Sequence, residues 1–377
     1  MPEIPTLAQT ITDTNLVSMK LLVDGKEISN TYQVVSITLQ QELNKIPSAH
    51  IMIMDGEVNK EEFPASSSDD FKPGKKIEIK LGYKFNYEKV FEGFIISNAI
   101  KINNDCSELN IEAKDETVKM TITKGNGYFE DKSASEIAEK ILHEKYQVTN
   151  TDIEKVSLKH KQLMQSNVTD WDYMIGRIDV SGLFCVIDNT KVIIRKPDKA
   201  ADAKLKFTYG TDIMELHTEM DSRIQNAEVT TFAWDFKTQS VIKEDSETKG
   251  IKDESKASIA ELAGVADKPY EIRSSVPLTQ EEIKVIAEAK KTRQELSKIK
   301  GRIKYQGTKK VMAGDFIMIE GVGLNFTGKV FVSAVKHEYA DGDWTTEATL
   351  GWSEQFFSEQ TNAQNAASAA GQVSTIQ

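Results

Sequence analysis

A stretch of β pattern occurs twice in this chain, 240 residues apart. Gly74, Ile77, Ile79 and Lys89-Val90-Phe91 reappear as Gly314, Ile317, Ile319 and Lys329-Val330-Phe331, without a gap across eighteen residues, six of them identical. Each copy opens on a glycine turn and continues with apolar residues in alternation, the period of a half-buried strand. A further alternating strand follows each copy. In the second it carries Trp344, Thr346, Ala348, Leu350 and Trp352 on one face. Turn-plus-strand grammar recurs in any β protein, but an ungapped match over two strands and their loop favours a duplicated barrel. Open strand edges are an aggregation hazard, and a closed ring of like units is the simplest way to pair them. One chain with two such barrels, assembled as a trimer, presents six similar units around one axis.

The remaining sequence places other structure between the copies. Val35, Ile37 and Leu39 alternate with polar residues, Ala49 to Met54 is an apolar run, and Leu109, Ile111 and Ala113 alternate again. These predict a first β-barrel over 19–125, after a flexible arm at 1–18. Over 126–204 the pattern is mixed α/β. Ser133 and Glu136 form a capping box. A second helix starts near Thr169-Asp170, carries Trp171, Met174, Ile175 and Ile178 on one face, and ends near Ser181-Gly182. A second, split barrel is predicted over 205–236 and 302–357. Inserted in it, over 237–301, are a charged arm and a surface helix that Thr279 and Glu282 cap and Gly301 stops. In the arm, nine of the fourteen residues from Lys243 to Lys256 are charged. The Ala-, Gln- and Ser-rich end, 358–377, cannot bury a core and reads as a tail or linker. The fold class is therefore mainly β with an α+β insertion: two related antiparallel barrels and a mixed α/β domain.

Chemistry is sparse. His50, His143, His160, His217 and His337 are scattered, without metal-ligand spacing, and His337 reads as a surface histidine. Asp170 and Asp172 suit capping and helix-dipole compensation better than a carboxylate pair. Trp171 reads as core, and Cys185 as a small buried hydrophobe. Gly321-Val322-Gly323 lacks the third glycine and following helix of a nucleotide loop. No catalytic, cofactor or metal residue is expected, so the reading is non-enzymatic, and subunit-interface residues are not identified. A net charge of −11 without a basic block argues against nucleic acid. Two cysteines, Cys106 and Cys185, are too few for a disulfide framework. No apolar run approaches the roughly 20 residues that span a bilayer, and the N-terminus lacks a signal-peptide pattern. Synthesis in the cytoplasm is expected.

The string Ser166-Asn167-Val168-Thr169-Asp170-Trp171-Asp172-Tyr173-Met174, running through Arg177 to Gly182-Leu183-Phe184, resembles a signature of VgrG-type proteins and phage tail hubs. So do Asn44-Lys45-Ile46-Pro47-Ser48-Ala49, Asp70-Phe71-Lys72-Pro73-Gly74 and Gly328 to Glu338 with Asp341-Gly342-Asp343-Trp344. The combination is most similar to hubs of Bacteroidetes-type contractile injection systems, and it covers roughly Leu16 to Trp352. The resemblance implies a homotrimeric structural hub that joins a sixfold inner tube to a threefold spike. Its implied partners are the inner tube protein, baseplate components and spike tip or effector cargo, and it would be exported with the particle. In the family an oligonucleotide/oligosaccharide-type barrel and a β-helical spike follow, so piercing is expected from outside these residues. The competing reading is a monomeric, non-catalytic β-rich binding module.

Overall fold

The structure, a computed structural model, describes residues 4–10, 16–56, 62–103, 106–247, 269–274 and 276–359. The arm at 1–18, the charged stretch from Lys243 to Lys256 and the tail at 358–377 fall partly or wholly outside the described residues.

Alternation builds the first β unit. Its strands are β1 (Val17–Val23), β2 (Lys26–Glu27), β3 (Gln33–Glu42), β4 (Ser48–Met54), β5 (Lys76–Tyr83), β6 (Asn86–Ile102) and β7 (Ser107–Lys114), hydrogen-bonded in the order β2-β1-β5-β6-β7-β4-β3. Every second residue points inward, so Ile37, Ile51, Ile53, Ile77, Ile79 and Ile111 are all but inaccessible to solvent.

The α/β part follows. β8 (Lys124–Ser133) pairs with β10 (Lys159–Thr169), and β9 (Thr151–Ile153) joins the hairpin of β11 (Phe184–Asp188) and β12 (Lys191–Arg195). Helix α1 (Ala134–Glu139) starts on the Ser133–Glu136 capping box and runs on into a π-helical turn. In α2 (Asp170–Val180) the cap is Thr169, whose hydroxyl accepts from the Asp172 N–H. Trp171, Met174, Ile175 and Ile178 pack with Ile137 and Ile194, as the helical spacing predicts.

The second β unit comprises β13 (Lys206–Thr208), β14 (Ile213–Glu219), β18 (Lys300–Gln306), β19 (Phe316–Glu320), β20 (Gly328–Ala340) and β21 (Asp343–Leu350). Its order, β19-β20-β21-β18-β14, repeats β5-β6-β7-β4-β3 of the first unit, while β13 joins β19 in parallel where β1 joins β5 antiparallel. Two of the strand irregularities repeat as well, though the β5–β6 shift between Ile79 and Lys80 does not. β6 shifts register on β7 between Ile95 and Ser97, and β20 shifts on β21 between Val332 and Ala334, positions 237 apart. β3 shifts on β4 between Val34 and Ser36, and β14 shifts on β18 between Ile213 and Glu215, positions 179 apart.

This corrects the ungapped match. The 240-residue spacing holds for the glycines and isoleucines: Gly74 N–H donates to Ile95 O and Gly314 N–H to Val332 O, both at 2.8 Å. Beyond the hairpin the spacing drops to 237, because Ile77 pairs with Gly93 whereas Ile317 pairs with Val330. The second hairpin is shorter by three residues. Phe331 therefore corresponds to Phe94, and the shared Lys-Val-Phe string is coincidental.

The insertion sits between β14 and β18, where the first unit has only the turn from Leu43 to Pro47. It contributes β15 (Glu228–Asp235), paired with β16 (Ser240–Glu247) and β17 (Tyr270–Arg273), and helix α3 (Gln280–Leu296). The helix keeps its predicted Thr279–Glu282 capping box. It differs from the predicted surface helix in its second half, where Lys290, Lys291, Arg293 and Glu295 are buried. Each charge has a partner there: Glu359, the Asn226 carbonyl, Asp179 and Lys199. Gly301 is no helix stop. It belongs to β18, at φ 142°, where a Cβ would lie 1.9 Å from the His217 carbonyl oxygen.

Gly307 marks another close approach, since a Cβ there would lie 2.3 Å from the Trp344 indole. Gly307→Ala should cost about 1–3 kcal/mol, the usual cost of overpacking. Urea unfolding of the variant would measure it.

Candidate assembly interface

The two β units meet edge to edge. β3 runs antiparallel to β20 from Ala334 opposite Glu42 to Ala340 opposite Ser36. Side chains reinforce this backbone joint. Trp344, on β21 of the second unit, sits in the core of the first with Ile37 and Leu39. Tyr83, at the end of β5, stacks on it with ring centroids 5.5 Å apart. The Tyr83 hydroxyl donates to Gly307 O at 2.8 Å and accepts from Gln306 Nε2 at 2.8 Å; burial pushes its pKa up to about 12. Gln41 ties the joint to the rest, donating to Ile187 O and accepting from the Ala313 N–H.

Two open edges of this sheet stand where the repeat places β3 and β20. β14 ends the sheet, with β18 on one side only. The second half of β6, Ile96–Ile102, pairs with β7 alone and is exposed throughout. It displays Ile96, Ile100 and Ile102, the last 63% exposed.

Four parts of the chain converge on a second buried point. Asp179, at the end of α2, accepts from Asn44 Nδ2 and the Phe357 N–H and pairs with Arg293 of α3. Arg293 also donates to the carbonyls of Ser353 and Gln355 and lies 3.8 Å over the Trp352 ring. Burial pushes the Asp179 carboxyl up and the Arg293 guanidinium down, and the opposite charge of each offsets part of the shift. The β3–β4 turn, the α/β part, the insertion and the chain after β21 are thereby fixed to one another. A cleft of about 640 Å³ opens beside this pair.

The residues weighed from sequence do not converge on one site. His337 is buried rather than superficial: its Nδ1 lies 2.9 Å from Thr346 Oγ1, and its ring 5.9 Å from Trp344. Its alternation with Val335 and Tyr339 was the signal that it faces inward. Asp170 is not a cap but a buried acceptor of bonds from Tyr146 and Gln165, paired with Lys145. Trp171 and Cys185 are buried in the same core, and burial pushes the Cys185 thiol up. Gly321 and Gly323 are turn residues with positive φ. Among the described residues no cluster of His, Cys, Asp or Glu could hold a metal, and no helix is long and apolar enough to cross a membrane. Sequence reasoning missed the joint residues Tyr83, Gln41 and Gly307, because strand partners far apart in sequence carry no local mark.

A family model described as the Alg8 N-terminal domain matches residues 13–341. No curated protein matches the chain. The fold is similar to that of the 43 kDa tail protein of prophage MuSo2 from Shewanella oneidensis (TM-score 0.70, 12% identity, 90% of this chain and 99% of that one). A tail protein from Neisseria meningitidis MC58 is also similar (TM-score 0.65, 13% identity, 89% of this chain and 96% of that one). So is an E. coli component of the type VI secretion system, itself described as structurally similar to T4 tail proteins gp27 and gp5 (TM-score 0.53, 12% identity, 89% and 77%). The resemblance read from the sequence thus stands at the level of a tail- and secretion-apparatus-like fold.

Two stability experiments follow from the buried groups. Arg293→Met strips the buried Asp179 of its cation and should cost about 3–5 kcal/mol, part of it regained when Asp179→Asn is added. His337 is held neutral, its pKa pushed down from 6.5 to about 4 by burial and by Lys309. Between those values the unfolded chain takes up a proton that the fold refuses, so stability falls as pH drops from about 6.5 to 4, by at most about 3 kcal/mol. Urea unfolding at stepped pH should show the advantage of wild type over His337→Asn shrinking across that window.

Proposed function

We propose, for a chain that belongs to the Alg8 N-terminal domain family, a structural role: a trimeric hub of a phage-tail-like contractile apparatus. In this reading it joins a sixfold inner tube to a threefold spike. The observation that carries it is the duplicated unit, which shares five strands in order and two register shifts and is joined within the chain by β3 and β20. Two like units per chain and three chains make six positions around one axis, which is the geometry such an adaptor needs. The likeness in fold to phage tail proteins supports the same reading. No enzymatic step is required of the chain. Partners in this role are the tube protein, baseplate components and whatever the ring carries, and the protein reaches its place as part of the particle.

Light scattering coupled to size-exclusion chromatography tests the stoichiometry. The expected mass at high concentration is three times the 42.2 kDa of the chain. A monomer at every concentration would overturn the hub.

A further inference from the structure

We infer that the outer edge of β6 from Ser97 to Ile102 and the free edge of β14 form one joint between neighbouring copies of this chain, in a definable antiparallel register. This rests on the hub reading and names the surface and residues through which its copies meet.

β3 and β20 already show how one unit meets the next. In the repeat β14 occupies the place of β3, and β6 the place of β20. Both of these edges are open, and as opposite ends of the eight-strand path from β14 to β6 they meet as β3 and β20 do only through a second copy. The shared register shifts fix the correspondence residue by residue: β20 maps onto β6 at a spacing of 237, β3 onto β14 at 179. Lys336 opposite Gln40 thus becomes Ala99 opposite Glu219 of the next copy. Tyr339 opposite Ile37 becomes Ile102 opposite Leu216.

The side chains suit that register. Ile100 and Ile102, exposed in the single chain, come to lie on the core side against Thr218 and Leu216. On the other side Lys101 faces His217, with Glu215 and Glu219 as diagonal neighbours, so cation and carboxylates interleave. The backbone N–H and C=O groups of both edges gain the partners that an exposed edge lacks. Eight strands from each of three copies would close a continuous wall. At a spacing of about 4.8 Å, its backbone diameter would be at least roughly 37 Å.

Thiol cross-linking in the full chain, with Cys106→Ser as background, tests the register. Directly opposite residues lie about 4.5–5.5 Å apart between Cα atoms, within disulfide range. Ala99→Cys with Glu219→Cys, and Ile100→Cys with Thr218→Cys, sample both kinds of ladder position. At least one pair should oxidise to covalent trimers and stop there, because the ring closes. Ala99→Cys with Glu215→Cys, displaced by about 13 Å along the strand, should not link. If scattering gives a trimer but neither pair links, the joint is wrong and the hub reading survives. If the pairs link into a ladder beyond three, the joint is right and the trimer is wrong. Linking by the displaced pair alone overturns the register.

Discussion

Each strand of a sheet must satisfy backbone N–H and C=O groups on both edges, and the pairing of β3 with β20 is where that demand binds the two halves of this chain. Without it the β units would be separate sheets, each with an open edge, tethered only through the α/β part. With it, strands from β14 to β6 form one continuous path. Side chains then make the joint specific. Trp344 leaves its own unit for the neighbouring core, and Gly307 has no side chain because the indole passes where a Cβ would be. A one-residue slip of β20 on β3 would turn Val335, His337 and Tyr339 outward and strand Lys336 and Glu338 in the core.

The repeat shows which features that geometry holds fixed. Its sequence has drifted, and even the best local match misaligns by three residues beyond the hairpin. The register shifts at Ile95 and Val332, and at Val34 and Ile213, have stayed. A bulge re-aims every side chain beyond it and bends the strand, so removing one copy would misdirect the face that packs. Length has changed where the frame tolerates it, in the β5–β6 hairpin and in the turn that became the β14–β18 insertion. Asp179 and Arg293 tie that insertion back to the equivalent turn of the first unit through Asn44.

What could be read from sequence was local. Alternation marked the strands, and hydroxyl-to-carboxylate spacing marked both capping boxes and the start of α2. Most of its failures share a cause, which is that the deciding partner lies far along the chain; His337 is the exception. Gly301 looked like a helix stop because it follows a helix, yet His217 forces the glycine. The second half of α3 looked like surface because it is charged, but Glu359, Asp179 and Lys199 neutralise it in the interior. His337 looked superficial between Lys336 and Glu338, although the strand period alone turns it inward. The joint itself had no signature at all, since backbone pairing is nearly indifferent to side-chain type.

The correspondence between units also separates the two kinds of joint by strength. Within the chain, Tyr83 stacks on Trp344 across the boundary. By the 237-residue spacing Trp344 corresponds to Ser107, so the proposed joint between copies lacks this aromatic clasp. It has Ile102 and Leu216 where the internal joint has Tyr339 and Ile37. Aromatic pairs contribute about 0.5–1.5 kcal/mol beyond the area they bury, and that increment is missing between copies. The internal joint, moreover, forms within one chain at high effective concentration, whereas the external one must also offset the entropy lost on association. The proposed ring would therefore be held more tightly inside each chain than between chains. Its closure would then be governed by concentration and by any further contact that holds the proposed three copies together.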